Sequence, residues 1–154
     1  MKMVAVLALL AAGAAHADCP PTALDLRGPW GQAHFSVEVA DTADSRAQGL
    51  MFREHMASSA GMLFVYESPR AASFWMQNTL IPLDMIFADS TGTVTRIHAN
   101  AIPHDKTPID GGDGVAAVLE INGGMAAKLG ITEGSEMRHP ALDPALAVWP
   151  CSAP

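Results

Sequence analysis

Two cysteines, Cys19 and Cys151, stand near the opposite ends of this chain. If they pair, the two ends of the folded domain must lie side by side. The closed loop then contains nearly everything between them, and the chain-entropy model gives such a closure about 5 kcal/mol. Whether two thiols pair depends on the compartment, because disulfides persist where the surroundings are oxidising. Residues 1–17, MKMVAVLALLAAGAAHA, bear on that question. Lys2 gives a short positive start. Val4 to Gly13 is an apolar run too short for the roughly 20 residues of a membrane-spanning helix. Ala15 and Ala17 put small residues at the positions a signal peptidase inspects. The sequence therefore predicts a signal peptide over 1–17, cleaved after Ala17, and a mature domain that is periplasmic or secreted. Asp18 separates the cut from Cys19, which argues against a lipoprotein. In that setting the cysteines read as a structural disulfide. A redox or metal-binding thiol is the alternative, and no CxxC spacing supports it.

The formal net charge is −7, and loss of Lys2 makes the mature part more acidic. Nucleic-acid phosphates demand a basic face, and anionic lipid does too. Neither partner is expected. No later stretch is long and apolar enough to cross a membrane, so no membrane anchor is expected after cleavage. The 154-residue length suggests one domain over 18–154. Its Pro-rich tail, 140–154, is expected to pack in extended form, pinned by Cys151.

Periodicity places the elements. Residues 18–31 read as an irregular lead-in rich in Pro and Gly. Ala33 to Ala40 alternates, with Phe35, Val37 and Val39 on one side, and reads as a strand. Asp41 or Thr42 can cap a short helix over 43–51. Further strands are expected over 61–66, 73–79, 80–89, 93–99, 115–121 and 135–139. Pro82 demotes part of the 80–89 strand to an edge or bulge. Residues 102–114 read as a polar loop, and 124–129 as a short helix stopped by Gly130. Many short strands with two short helices predict an α+β domain, strand-rich and mainly antiparallel, with a barrel as one way of closing it.

Side chains alternate across a strand, so faces can be read by parity. Asp84 shares its face with Leu80, Pro82 and Ile86, and Glu120 shares its face with Ala116 and Val118. Each is a lone acid on an apolar strip. Such an acid is either paired or has a raised pKa, because burial disfavours its charged form. Together the two could act as general acid and base. Alternatively, each accepts backbone hydrogen bonds or pairs with an arginine such as Arg53.

The run Phe74-Trp75-Met76-Gln77-Asn78-Thr79 sets aromatic surface beside amide and hydroxyl groups. A sugar or another small polar ligand would stack and hydrogen-bond there. The competing reading is a core strand ending in a turn at Asn78 and Thr79. Met51, Met56, Met62, Met76, Met85, Met125 and Met137 offer thioethers that suit Cu(I), with His55 beside Met56. Methionine also fills core gaps, and no tight Met or His cluster appears, so no metal site is assigned. GxSxG, P-loop, dinucleotide and HExxH motifs are absent, and no cofactor is expected.

The segments GLMFRE (49–54), GMLFVY (61–66), FWMQNTLIPLDMIFAD (74–89) and LEINGG (119–124) closely resemble the DUF192 family, also called UPF0127. Their order and spacing match from the first strand to the last. Gln77 stands where many members carry a basic residue, and Gly123 replaces a more usual alanine. The resemblance implies a small strand-rich α+β domain, often exported, and implies no particular reaction. Arg53, Trp75, Asn78, Thr79, Asp84 and Glu120 fall on the family's characteristic polar and aromatic positions.

Three functions follow as expectations. One is a binding or accessory domain whose small polar ligand, carbohydrate being one candidate, is held by those six residues. Another is a hydrolase using Asp84 and Glu120 as acid and base. The last is a periplasmic copper-binding protein.

Overall fold

The computed structural model describes residues 19–153. The predicted signal peptide lies outside the described residues. The chain forms strands β1 (Ala23–Gly28), β2 (Gly31–Ala40), β3 (Ala60–Phe74), β4 (Leu83–Ala88), β5 (Val94–Ala101), β6 (Ile109–Asn122) and β7 (Glu136–Arg138). Helices α1 (Ala43–Gln48) and α2 (Met125–Leu129) complete it. The strands make one sheet in the order β5-β4-β6-β3-β2-β1-β7. All neighbours are antiparallel except β2 and β3. Parallel neighbours need a crossover, and α1 with its following loop supplies it. The sheet curls into a half-barrel until its edge strands touch. There the Met137 amide donates to the Gly92 carbonyl and the Val94 amide to the Ser135 carbonyl, each at 2.8 Å.

The strand-rich α+β expectation is met, and its errors are local. The lead-in contains β1, because Leu24 and Leu26 alternate with Asp25 and are fully buried. The expected strand 61–66 runs on to Phe74 as β3, which takes in only Ser73 and Phe74 of the expected strand 73–79. It stays paired to β6 through register shifts between Val65 and Ser73, so pairing overrides Pro69. Beyond Phe74 the chain leaves the sheet and turns at Gln77 and Asn78. The end of the expected polar loop is the start of β6, where Ile109 pairs with Phe74. Helix α1 ends at Gln48 rather than at 51. Its start is as read: the Ser45 amide donates to the Thr42 hydroxyl at 3.1 Å, and the Thr42 amide to the Ser45 hydroxyl at 3.0 Å. That reciprocal cap fixes the entry of the crossover.

The curled sheet separates two cores. One lies inside the curl and gathers Leu24, Leu26, Phe35, Leu63, Leu119 and Ile121. The other lies on the outer face of β3, β4 and β6, with Met62, Phe64, Met76, Met85, Phe87 and Val118. Leu50 from the loop after α1, with Met76 and Ile81 from residues 75–82, packs over this outer core. Gly61 lets β3 and β6 close up, since a Cβ there would meet the Glu120 carbonyl oxygen at 2.6 Å.

Cys19 and Cys151 form the predicted disulfide, with Cα atoms 5.6 Å apart. The tail packs, but as a series of turns rather than in extended form. Asp143 accepts from the Ala145 amide at 2.9 Å, a local turn that competes with extension. Trp149 is buried, with Arg27 and Arg138 at 4.2 and 4.4 Å from its ring centroid. Reducing the disulfide is expected to cost about 2–4 kcal/mol in urea unfolding. An unchanged midpoint after reduction would show that Trp149 and its arginines hold the tail alone.

Candidate functional site

The outer core is covered incompletely. Between α1 and the outer face of β3 and β6 lies an open cavity of about 390 Å³. Its walls come from α1 (Arg46), the loop after it (Leu50, Met51), β3 (Phe64, Tyr66, Arg70, Phe74), Trp75 and Thr79, with Glu120 of β6 also lining it.

Glu120 reaches this cavity because of strand register. It pairs with Met62 on β3 and with Met85 on β4, so a carboxyl replaces a thioether in a row of outer-core side chains. It is 4 % exposed. Desolvation alone pushes its pKa from 4.5 to about 8. Among the described residues no hydrogen bond or ion pair offsets that, so the group is largely a neutral carboxylic acid at neutral pH.

The walls carry the opposite charge. The guanidinium carbons of Arg46 and Arg70 each stand 5.3 Å from the Tyr66 ring centroid. One Arg46 nitrogen, Nη1, donates to the Asp41 carbonyl at 2.7 Å and to the Val65 carbonyl at 2.9 Å. Arg70 is exposed and enters no ion pair among the described residues. Burial raises the Tyr66 pKa, the two arginines oppose that, and Glu120 adds to it. Trp75 is 48 % exposed and offers a flat apolar face at the rim. Phe52 and Asn78 both have positive φ, 65° and 54°, a conformation unusual for such residues. The Phe52 amide donates to the Asn78 carbonyl at 2.8 Å, tying the loop after α1 to the turn after Trp75.

Of the residues singled out in the sequence, Trp75, Thr79 and Glu120 meet in this cavity. Asn78 serves through its backbone in the adjoining turn. The Thr79 hydroxyl donates to the Gln77 carbonyl at 3.2 Å, and its residue is buried. Arg53 lies elsewhere. It forms a bidentate pair with Glu38 at 2.6 and 2.7 Å beside a separate open groove of about 530 Å³. That hydrogen bonding holds the Glu38 carboxyl below its ordinary value.

The proposed acid–base pairing of Asp84 with Glu120 does not occur. Asp84 pairs with Ile121 across the sheet while Glu120 pairs with Met85, so the two acids project from opposite faces. Asp84 is fully buried and occupied. Its Oδ1 accepts from the Asn100 amide at 2.8 Å and the Gly124 amide at 2.9 Å, and its Oδ2 accepts from the Ala126 amide at 2.8 Å. Gly124 has φ 84°, which a side chain would resist. Asp84 therefore fastens β5 and the start of α2 to β4.

The methionines named as copper candidates divide between the two cores. Met62, Met76 and Met85 are in the outer core, and Met137 is in the inner one. Sequence reading missed Arg46, Tyr66 and Arg70. The only available signal was their position, on a helix and strand that flank Glu120 after folding.

The sequence pattern of the DUF192 family, described as "Uncharacterized ACR", matches residues 27–139. No curated protein matches the chain. Similar crystal structures include two from bacteria. One, from Novosphingobium aromaticivorans, is of a protein of unknown function. It shares 40 % identity over 86 % of this chain and 99 % of its own, with a TM-score of 0.74. The other, from Sinorhizobium meliloti, is of a protein provisionally described as a transcription regulator. It shares 40 % identity over 78 % of this chain and 94 % of its own, with a TM-score of 0.76.

Proposed function

The chain belongs to the DUF192 family, and we propose that this member is an exported domain that binds a small polar ligand in the cavity lined by Glu120. A single observation carries the reading. Glu120 is buried, lines open space and, among the described residues, has no partner to offset its desolvation. Its oxygens are not among the sealed, unpartnered polar atoms of the described residues, so a ligand entering the cavity can hydrogen-bond to the carboxyl directly. Trp75 supplies a stacking face of the kind sugars and other ring-shaped molecules use. An extracytoplasmic location fits the predicted signal peptide and the terminal disulfide. The regulator description of the S. meliloti protein is not carried over, since a net charge of −7 opposes binding to phosphate backbones.

The test is an NMR screen of the mature protein against monosaccharides, uronic acids, amino acids and small aromatic acids at about millimolar concentration, where weak binding still registers. Hits are expected to shift the amides of Leu50, Phe74, Trp75 and Glu120. They are expected to disappear in Glu120→Leu, which keeps an apolar side chain in the outer core. Hits that map to other surfaces and persist in Glu120→Leu would sink the proposal.

A further inference from the structure

We infer that the cavity selects a small organic anion, a carboxylate on a ring-sized body, with its charge at Arg70 and Arg46 and a hydrogen-bond acceptor against the Glu120 carboxyl. This inference rests on the ligand-binding reading above and adds the chemical class.

Three observations lead to it. First, the ionisable side chains lining the cavity are Arg46, Arg70, Tyr66 and Glu120. Burial keeps Glu120 largely uncharged at neutral pH and also holds the Tyr66 phenol protonated. The cavity therefore carries positive charge on a chain of net charge −7. Second, those charges remain available. Glu120 is shifted by burial alone, so neither guanidinium is paired with it. Arg46 commits Nη1 to backbone carbonyls, leaving Nη2 and Nε as donors, while Arg70 enters no ion pair among the described residues. Two guanidinium groups near one ring suit a carboxylate, which accepts their planar donors in pairs. Third, the uncharged Glu120 carboxyl presents an O–H donor. It is therefore suited to a neutral acceptor, such as a hydroxyl or ether oxygen, rather than to a cation. Phe74 and Trp75 supply apolar surface for the ring between these two polar ends.

Four probes separate charge from ring chemistry: galacturonate against galactose, and 4-hydroxybenzoate against 4-hydroxybenzamide. Affinities are read by NMR titration of the mature domain at neutral pH. At least one carboxylate is expected to bind about tenfold or more tighter than its neutral counterpart, the scale of a charge-assisted hydrogen bond. Arg70→Gln, a change at an exposed position, is expected to cut that preference at least several-fold while lowering the thermal unfolding midpoint by no more than the loss of its contact with the Tyr66 ring, a few degrees at most. Comparison of the two carboxylates then shows whether the ring is a sugar or an aromatic. If a neutral probe binds at least as well as its carboxylate, with its signal lost in Glu120→Leu, the anion assignment falls and the ligand-binding reading stands. If no probe shifts the cavity amides, both fall.

Discussion

Glu120→Gln is expected to match the native chain in stability near about pH 4 and to exceed it by on the order of 5 kcal/mol near about pH 9. The reason is the cost of ionising a buried carboxyl. Its folded pKa, about 8, lies above its ordinary value of 4.5. Below 4.5 it is protonated in both the folded and unfolded chain, so its stability contribution is fully present. Between the two values the unfolded chain releases the proton and the folded chain retains it. Stability therefore falls as pH rises through this window and levels off above the folded pKa. The groups facing Glu120 do not reverse the sign. Met62 and Met85 are uncharged, Tyr66 adds no cation, and neither Arg46 nor Arg70 contributes to its shift. Gln keeps the shape and loses the titration, so its stability should be flatter across the window. Urea midpoints of both proteins across the range check this. Parallel curves would mean that Glu120 has a partner in solution.

The second large effect belongs to the other buried acid. Asp84→Ala is expected to destabilise by roughly 3–5 kcal/mol, because it strands buried backbone donors that the carboxylate now accepts. Asp84→Asn should fall between, since its amide NH₂ cannot accept from an N–H. Native-state hydrogen exchange gives the local signature. The amides of Asn100, Gly124 and Ala126 should lose protection before the rest of the sheet. Loss of less than about 1 kcal/mol in Asp84→Ala would contradict the fastening role. The same variant separates the two acids functionally: probes should still shift the cavity amides of any Asp84→Asn protein that folds.

The contrast between these acids marks what sequence can reveal here. Parity identified both as carboxylates among apolar neighbours, and both are buried. It could not relate them, because relative facing depends on the register of β4 against β6. A shift of one residue would reverse it. The cysteine pair was legible because a predicted export signal and an even cysteine count constrain each other. Strand β1 was hidden by the Pro and Gly around it, although its alternation is plain once Leu24 and Leu26 are seen to point inward. Trp75 was flagged by its unusual neighbours. Arg46, Tyr66 and Arg70 have no such local signal. They join the site only because α1 crosses the outer face between the parallel strands β2 and β3. Arg53 erred in the other direction. It belongs to a recognisable segment but satisfies itself on Glu38 at the surface, where such pairs contribute little stability.

Ligand binding in this cavity depends on Glu120 being an unpartnered acid. Its side-chain carboxyl carbon resonance, followed from about pH 4 to about pH 10 in the mature protein, tests that state most directly. The expected midpoint is about 8, moving when a probe occupies the cavity. A midpoint near the ordinary 4.5, unmoved by any probe, would contradict the account.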